Sequence, residues 1–365
     1  MQIIEASKFL AEDVPDPIRK HSTNILRKVL HSSLDTRAMT PFFHPTSILA
    51  LDDDPLFLES LVFQFCDDVS CQTFSRTDAA LEHLINQAGQ HPCYSRMYDL
   101  VALPSAGLRA AMRNPSDALL CADVSGLRSI IDDPGRHLRV SVAIVDYDMP
   151  EMDGLEFCRA IRDLPVKKIL LSGKAGLEVA VDAFNDGLID CFLQKQDQNA
   201  TQALRSAIQR LQRLYFDDVS RPISNALELC GTTWFSDPAA RDLIQHTVDH
   251  LGMAEYCLST TPPGVAMRDD AGNETFMLIS DRRELDAQIA AADARGAPDE
   301  LINQLSSGKS QSWFPTPDGR YSADYYSRWQ AHTWPADDLH GNTHWMHSLI
   351  PVGSALILDD MRKIA

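Results

Sequence analysis

The fold of this chain is decided by residues 140–154, VSVAIVDYDMPEMDG. The first six of these residues are almost continuously apolar, which is typical of a strand that helices bury on both faces. Asp146 follows at the carboxyl end of that strand. Open α/β sheets bind their ligands at the carboxyl ends of their strands, so the pattern predicts chemistry at Asp146.

Outward from this stretch, short apolar runs alternate with amphipathic segments on both sides. The predicted strands are 47–53, 70–75, 140–146, 167–172 and 189–194, and the predicted helices are 55–65, 77–86, 154–162, 175–187 and 201–214. Five βα units in succession predict a parallel sheet with helices on both faces. Residues 47–214 are therefore expected to form one α/β domain.

Two further segments flank or interrupt this domain. Residues 1–46 are predicted to be a helical extension, because 17–34 place apolar residues on one stripe that would pack on the protein or on a second copy. Residues 88–138 are too long for a simple loop and contain two helix-like stretches, so we predict a helical insertion. It should lie at the amino ends of the strands, away from the site, and serve docking or stability.

The remaining chain divides into a helical linker, 215–230, and a C-terminal domain, 231–365. The spacing of Leu204, Ile208, Leu211 and Tyr215 fits either a short coiled-coil seam or a helix face packed on the sheet. In the C-terminal domain, turn residues at 269–273 predict a hairpin, and Asp281 with Glu284 resembles a capping box. We predict an α+β fold, either PAS-like or a degenerate nuclease-like one.

Composition limits the classes of partner. The 365 residues carry 33 basic and 51 acidic side chains, a net charge of −18, which repels nucleic acid unless basic residues are locally concentrated. The eight cysteines form no CxxC pair and indicate reduced thiols. No stretch approaches 18 consecutive apolar residues and the N-terminus lacks a secretory pattern, so we expect a cytoplasmic protein with no membrane partner.

Five polar side chains follow the predicted strands at their carboxyl ends: Asp52, Asp53, Asp146, Ser172 and Lys195. Two carboxylates 4 Å apart repel by about 4 kcal/mol at an effective dielectric of 20, and a divalent cation removes that cost. The cluster therefore predicts a metal. Hard oxygen ligands favour Mg²⁺, with Mn²⁺ as the alternative.

Four motifs occur in the order ALDDDP, VDYDMPEMDG, LLSGK and FLQK. Taken together in this order, they resemble the receiver domains of two-component response regulators, which have the chemotaxis-regulator-like fold. The resemblance implies a flavodoxin-like, doubly wound, five-stranded parallel sheet of order 2-1-3-4-5. It implies phosphorylation of Asp146 by a histidine kinase or phosphotransfer protein. The implied metal ligands are Asp53, Asp146 and the main-chain carbonyl of Asp148, with Asp52 acting through water.

The implied switch residues are Ser172, Lys195 and Phe192. Charge neutralisation by the metal and by Lys195 suits a carboxylate that attacks phosphorus. The Ser172 hydroxyl can then donate to a phosphoryl oxygen, and Phe192 occupies the family's aromatic switch position. The chain departs from the family at Gln196, where proline usually follows the lysine in a cis bond. A non-proline cis bond costs about 2.5–4 kcal/mol, so Lys195 should be placed differently or its loop strained.

The output domain has a less specific signature. Residues 231–365 contain 10 basic and 19 acidic residues, a balance of −9 that disfavours a conventional DNA-binding output. Five histidines of this domain are a second candidate site, although their sequence pattern has low specificity. His246 and His250 have helical spacing, and the others are His340, His344 and His347. Residues 180–195, AVDAFNDGLIDCFLQK, followed by an unconventional output, also resemble quorum-sensing response regulators.

The sequence thus predicts a response regulator that acts through its C-terminal domain on a protein or small ligand, with homodimerisation. Apart from the receiver's own phosphorylation chemistry, no enzymatic activity is predicted under this interpretation. One alternative makes the C-terminal domain a metal-dependent hydrolase or nuclease. A second makes the chain an atypical DNA-binding transcription regulator.

Overall fold

The computed structural model describes residues 39–65, 69–90, 99–102, 120–123, 126–173, 177–229, 233–260, 262–316 and 318–351. The helix candidates at 17–34 and 103–114 lie outside these residues. The described residues from Thr40 onwards belong to one compact unit. Among the helices that can be described, none is both long and apolar enough to cross a membrane.

The strands are β1 (Phe42–Phe43), β2 (Ser47–Leu51), β3 (Cys71–Phe74), β4 (Asp99–Ala102), β5 (Leu120–Asp123), β6 (Val140–Asp146), β7 (Lys167–Ser172), β8 (Cys191–Gln194), β9 (Met253–Thr260), β10 (Pro263–Asp269), β11 (Glu274–Asp281), β12 (Ser310–Ser312), β13 (Thr333–Pro335), β14 (Asp337–His340) and β15 (His344–Pro351). The helices are α1 (Pro55–Phe65), α2 (Thr77–Gln90), α3 (Leu127–Asp132), α4 (Gly154–Ala160), α5 (Leu177–Asn185), α6 (Ala200–Leu229), α7 (Thr233–Ser236), α8 (Pro238–Leu251), α9 (Arg282–Ala294) and α10 (Asp299–Ser306).

Five of these strands form the predicted parallel sheet, in the order β3-β2-β6-β7-β8. All four pairings are parallel, so in domain numbering the order is 2-1-3-4-5. The central strand β6 is buried along its whole length, which explains its continuous apolar sequence. The fold class predicted for this domain is confirmed.

Alternate residues of the strands feed two separate cores. On one face, residues such as Leu49 and Val145 pack with α2, α4 and α5. On the other face, residues such as Ile48 and Ile144 pack with α1 and α6. Because side chains alternate across a strand, each face of the sheet receives its own helical layer.

Helix α6 is longer than the predicted last helix and includes the linker segment. It runs without a break over 30 residues, about 45 Å at 1.5 Å per residue. Leu204, Ile208 and Leu211 are buried in the core beneath the sheet. The packed-face interpretation of this spacing is therefore correct, and the coiled-coil interpretation is wrong for these residues.

The insertion differs from the helical prediction. β4 and β5 pair as antiparallel strands. Among the described residues of the segment 116–132, which is predicted to be helical, Leu120–Asp123 is a strand and only α3 is a helix. The short apolar run at 118–122, ALLCA, suits a strand as well as a helix, because short apolar runs do not distinguish the two. α3 contacts β9 of the C-terminal sheet.

The C-terminal domain is built on a six-stranded antiparallel sheet of order β1-β9-β10-β11-β15-β14. Its first strand comes from before the parallel domain, since Phe42 pairs with Cys257 and Phe43 with Tyr256. The end of the segment assigned to a helical extension is therefore a strand. β10 and β11 form the predicted hairpin. Asp281 caps α9 by accepting a hydrogen bond from the Glu284 backbone nitrogen at 2.9 Å.

A cluster of ion pairs joins the insertion to this sheet; we call it the interdomain charge cluster. It consists of three arginines and three acids: Arg128, Arg136, Arg268, Asp132, Glu255 and Glu274. Arg136 binds Glu255 through two hydrogen bonds, of 2.7 and 2.8 Å. Arg268 also donates to the carbonyl of Ile131 in α3, at 2.7 Å. The formal charges balance, which allows Glu255 to be almost fully buried.

Candidate phosphoacceptor and metal site

Three carboxylates meet at the carboxyl edge of the parallel sheet. Asp52 follows β2 and Asp146 ends β6, and these strands are neighbours in parallel register. Both side chains are buried, with 2% and 4% of their surface exposed, whereas Asp53 is exposed. Carboxylate oxygens of the three residues lie within 4.8 Å of one another. This donor set fits a hard divalent cation, because it offers only oxygen ligands on one open side.

Lys195 enters the same site from the end of β8. Its backbone nitrogen donates to the carbonyl of Ser172 at 2.9 Å, which continues the β7–β8 pairing beyond Gln194. Its ammonium nitrogen, Nζ, lies 2.6 Å from Asp52 Oδ2 and 2.9 Å from Asp146 Oδ1. Lys195 therefore bridges the two buried carboxylates.

In this arrangement, burial and ion pairing shift the pKa values of Asp52 and Lys195 in opposite directions. Burial raises the pKa of the Asp52 carboxyl, although the hydrogen bond from Lys195 opposes the shift. Burial alone lowers the pKa of Lys195, but hydrogen bonds to Asp52 and Asp146 outweigh it, and the pKa is raised. Lys195 is thus held in its charged form beside two acids.

The other predicted switch residues lie around this edge. Ser172 is buried as the last residue of β7, opposite Gln194. Phe192 is half-buried in β8 and packs against the core that contains α2, α4 and α5. Asp148 is exposed, two residues beyond Asp146. The structure thus brings Asp52, Asp53, Asp146 and Lys195 together, with Ser172 on the neighbouring strand end.

The loop after Asp146 leads into α4, and a backbone hydrogen bond and a helix cap hold it in place. The backbone nitrogen of Gly154 donates to the carbonyl of Tyr147 at 3.0 Å. Asp153 and Glu156 form a reciprocal capping box at the start of the helix. A Cβ atom at Gly154 would lie 2.2 Å from the backbone oxygen of Asp146, so only glycine permits this approach. The motif MDG therefore allows α4 to start close against the end of β6.

The five histidines of the predicted output-domain site are not gathered into one group. The rings of His246 and His250 stack on α8 at 5.8 Å, and those of His340 and His344 stack across β14 and β15 at 4.9 Å. His344 Nε2 lies 2.9 Å from Asp338 Oδ1. Within the described part of the chain, the only group of three or more metal-ligand side chains is Asp52, Asp53 and Asp146.

One further side chain, Phe57, contributes to this region and was not predicted from the sequence. Phe57, in the first turn of α1, places its ring 4.5 Å from the Lys195 ammonium, measured to the ring centroid. An aromatic residue at the start of an amphipathic helix gives no local signal of such a contact. Away from this site, the interdomain charge cluster was not predicted either, because its members are ordinary surface residue types spread over almost 150 positions.

Comparison with known proteins agrees with this geometry. The profile of the response regulator receiver domain matches residues 118–209. This match starts within the insertion, and the structure supplies the first two strands of the sheet, β2 and β3, from earlier residues. The fold and the acidic edge thus define a class: the chain contains a response regulator receiver domain.

One solved structure resembles most of the chain. The Legionella pneumophila response regulator LqsR is 23% identical, with 86% of this chain and 89% of that chain covered and a TM-score of 0.64. At this identity the likeness is one of fold, and a coverage of 86% means that it extends into the C-terminal domain. The predicted resemblance of the whole chain to a response regulator is confirmed at the level of the fold.

Other structural matches cover about half of the chain. An adenylate cyclase from Rhodopirellula baltica is 21% identical, over 49% of this chain and 96% of that one, with a TM-score of 0.31. A CheY-like receiver domain protein from Methanospirillum hungatei is 18% identical, over 48% and 98%, with a TM-score of 0.29. No curated protein sequence matches the chain.

Proposed function

We propose that this protein is a phosphorylation-switched response regulator whose Asp146 accepts a phosphoryl group from a sensor histidine kinase or a phosphotransfer protein. The observation that carries the proposal is the position of the Lys195 ammonium, 2.6 Å from Asp52 and 2.9 Å from Asp146, at the edge where three carboxylates meet. A buried carboxylate beside a fixed cation is suited to attack an electron-rich phosphoryl group.

Mg²⁺ is the proposed metal, with Mn²⁺ as the alternative. Asp53, Asp146 and the main-chain carbonyl of Asp148 would hold it, and Asp52 would act through a bound water. When bound, the cation would supply positive charge next to the phosphoryl oxygens. Oxygen-only donors with solvent on one side are typical of magnesium sites, which retain several waters.

In the proposed reaction, an Asp146 carboxylate oxygen forms a bond to phosphorus while the phosphorus–nitrogen bond of a phosphohistidine breaks. The imidazole leaves and takes up a proton. Lys195 balances the charge that moves onto the phosphoryl oxygens. The Ser172 hydroxyl is the proposed donor to one of those oxygens, and Phe192 is the proposed aromatic residue that follows its movement.

The phosphoacceptor is tested by replacing Asp146 with asparagine, which removes the nucleophilic charge with almost no change of volume. We expect the wild-type protein to be labelled by acetyl phosphate with Mg²⁺, and Asp146→Asn to lose at least nine-tenths of the label. Asp163→Asn, an exposed acid beyond α4, is the matched control. Label retained in Asp146→Asn and mapped to another residue would contradict the assignment.

For the output, we propose that the acidic C-terminal domain acts on a downstream protein or a small ligand in the cytoplasm, and that phosphorylation promotes homodimerisation. Quorum sensing is the proposed process, by the resemblance stated above. The balance of −9 over residues 231–365 argues against nucleic acid as the main partner. Light scattering with Mg²⁺ and beryllofluoride tests dimerisation; an unchanged mass would contradict it.

A further inference from the structure

The ammonium of Lys195 touches a third group besides its two carboxylates. Its Nζ lies over the face of the Phe57 ring, 4.5 Å from the centroid. Phe57 is half-buried and packs against the core between the sheet and helices α1 and α6. The ring is therefore anchored by the core while one face stays open to the lysine.

We propose that Phe57 is a positioning residue for phosphoryl transfer, whose ring face holds the Lys195 ammonium beside Asp146. This inference rests on the function proposed above. A lysine side chain has four rotatable carbons and loses much freedom when it is fixed at one place. The negative face of an aromatic ring attracts an ammonium and limits its positions without supplying a proton acceptor.

Two features make such a support useful at this site. Gln196 follows Lys195, so no proline ring stiffens the loop that carries the lysine. In addition, any cation that neutralises Asp52 weakens the attraction between Asp52 and Lys195. The ring contact does not depend on the charge of Asp52, so it would keep the ammonium near Asp146 in both situations.

The first test is spectroscopic and needs no phosphorylation. Lysine is present at nine positions, so selective labelling of the ε-carbon gives a simple spectrum, and loss of one signal in Lys195→Arg assigns that residue. In the metal-free full-length protein, ring current from Phe57 should move the Lys195 ε-protons upfield. We expect Phe57→Leu to return them to the range of the other lysines and Phe57→Tyr to keep the upfield shift.

The second test measures the rate of labelling by acetyl phosphate with Mg²⁺. We expect Phe57→Leu to lower the rate roughly two- to fivefold, the factor that corresponds to a partly exposed cation–π contact. Phe57→Tyr should restore the rate. Phe63→Leu is the matched control, because Phe63 lies on the same helix with 83% of its surface exposed, and it should leave the rate unchanged. If Phe57→Leu fails to fold, Phe57→Met replaces it.

An upfield shift and a rate that both survive in Phe57→Leu would overturn the inference. So would a folded Phe57→Tyr that labels as slowly as Phe57→Leu. If the wild-type protein takes no label at all, the proposed function fails and this role fails with it. A labelled wild type with an unaffected Phe57→Leu removes only the role of Phe57, so the two failures are distinguishable.

Discussion

Single buried ionisable side chains decide much of the electrostatics of this protein. At the acidic edge, three carboxylates face one ammonium, so the site is short of positive charge without a cation. At the junction of β1 and β2, His44 is fully buried with Nδ1 2.9 Å from the carbonyl of Pro45. No hydrogen-bond partner for its Nε2 is found among the described residues. We therefore expect the acidic edge to respond to a divalent cation and His44 to respond to protonation.

His44 makes the stability of the protein depend on pH. Burial lowers the pKa of His44 to about 4 in the folded protein, from 6.5 when it is exposed. The hydrogen bond with Pro45 partly opposes this shift, Arg139 and His137 add to it, and Glu255 opposes it. The unfolded chain therefore binds the proton more readily, and the free energy of unfolding should fall as pH drops from about 6.5 towards 4.

We expect His44 to contribute roughly 3 kcal/mol of this loss, at about 1.4 kcal/mol per unit of pKa. Urea unfolding at a series of pH values measures it, with the His44→Phe variant as the comparison. Phenylalanine keeps the aromatic contacts of His44 with Phe42 and Phe216 but binds no proton. Identical pH slopes for wild type and His44→Phe would contradict the prediction.

Two structural elements depend on specific residues for their stability. They are the turn from β6 into α4 and the insertion helix α3. The turn requires glycine at 154, because the chain passes directly over the backbone of Asp146. Helix α3 is short and would be marginal alone. It is stabilised by buried Leu127, Ile130 and Ile131 and by the interdomain charge cluster at its carboxyl end.

Gly154→Ala should destabilise the protein by roughly 1–3 kcal/mol, as expected for a group forced into a packed region. The added Cβ would meet the backbone oxygen of Asp146 at 2.2 Å and Leu170 Cδ1 at 2.9 Å. Thermal or urea unfolding measures the change. Gly173→Ala is the control, because a Cβ added there would meet nothing within 4 Å; equal effects of the two changes would argue against the close approach.

Glu255→Gln should destabilise the protein by roughly 3–5 kcal/mol, since it leaves the buried ends of Arg136 and Arg268 without their shared carboxylate. Urea unfolding at neutral pH measures this. The control is Asp286→Asn, which breaks an exposed pair with Arg282 and should cost only about 0.3–0.5 kcal/mol. A Glu255→Gln variant as stable as the control would mean that the cluster contributes little.

At the scale of the whole molecule, the receiver domain is connected to the C-terminal sheet at three places. β1 precedes the receiver and pairs with β9. α6 leaves the receiver and packs Phe216 against Phe42 and Phe43. The insertion adds the interdomain charge cluster. Such an arrangement favours unfolding of the two domains as one cooperative unit.

Magnesium offers a way to measure this cooperativity, because all five tryptophans lie between residues 234 and 345, outside the receiver domain. If Mg²⁺ binds the acidic site, stability should rise by about 2.7 kcal/mol at a concentration of 100 Kd. We expect tryptophan fluorescence to report the same shift in urea midpoint as circular dichroism. Asp53→Asn should reduce the shift, and Glu59→Gln, an exposed acid on α1, should not. A shift seen by circular dichroism alone would mean that the domains unfold separately.

The sequence by itself determined the receiver sheet and the composition of its acidic edge. Periodicity is local: the continuous apolar run of β6 and the alternation of strands with amphipathic helices can be recognised within windows of ten to fifteen residues. The parallel topology then places Asp52, Asp146 and Lys195 at one edge, whatever the loops do. For this reason the parallel sheet and the cluster of carboxylates agreed with expectation without any knowledge of side-chain contacts, whereas the strand order was implied by the resemblance to receiver domains.

Only the tertiary structure decided how the rest of the chain is used. It paired Phe42 with Cys257, docked α3 on β9, kept α6 in the core instead of a coiled-coil seam, and put Phe57 beneath Lys195. It also stacked His246 on His250 and His340 on His344 as two separate pairs, and did not gather the five output-domain histidines into one group. Each of these outcomes depends on which distant surfaces meet. A local pattern shows that a residue is apolar or charged, but its partner is chosen by the packing of the whole molecule.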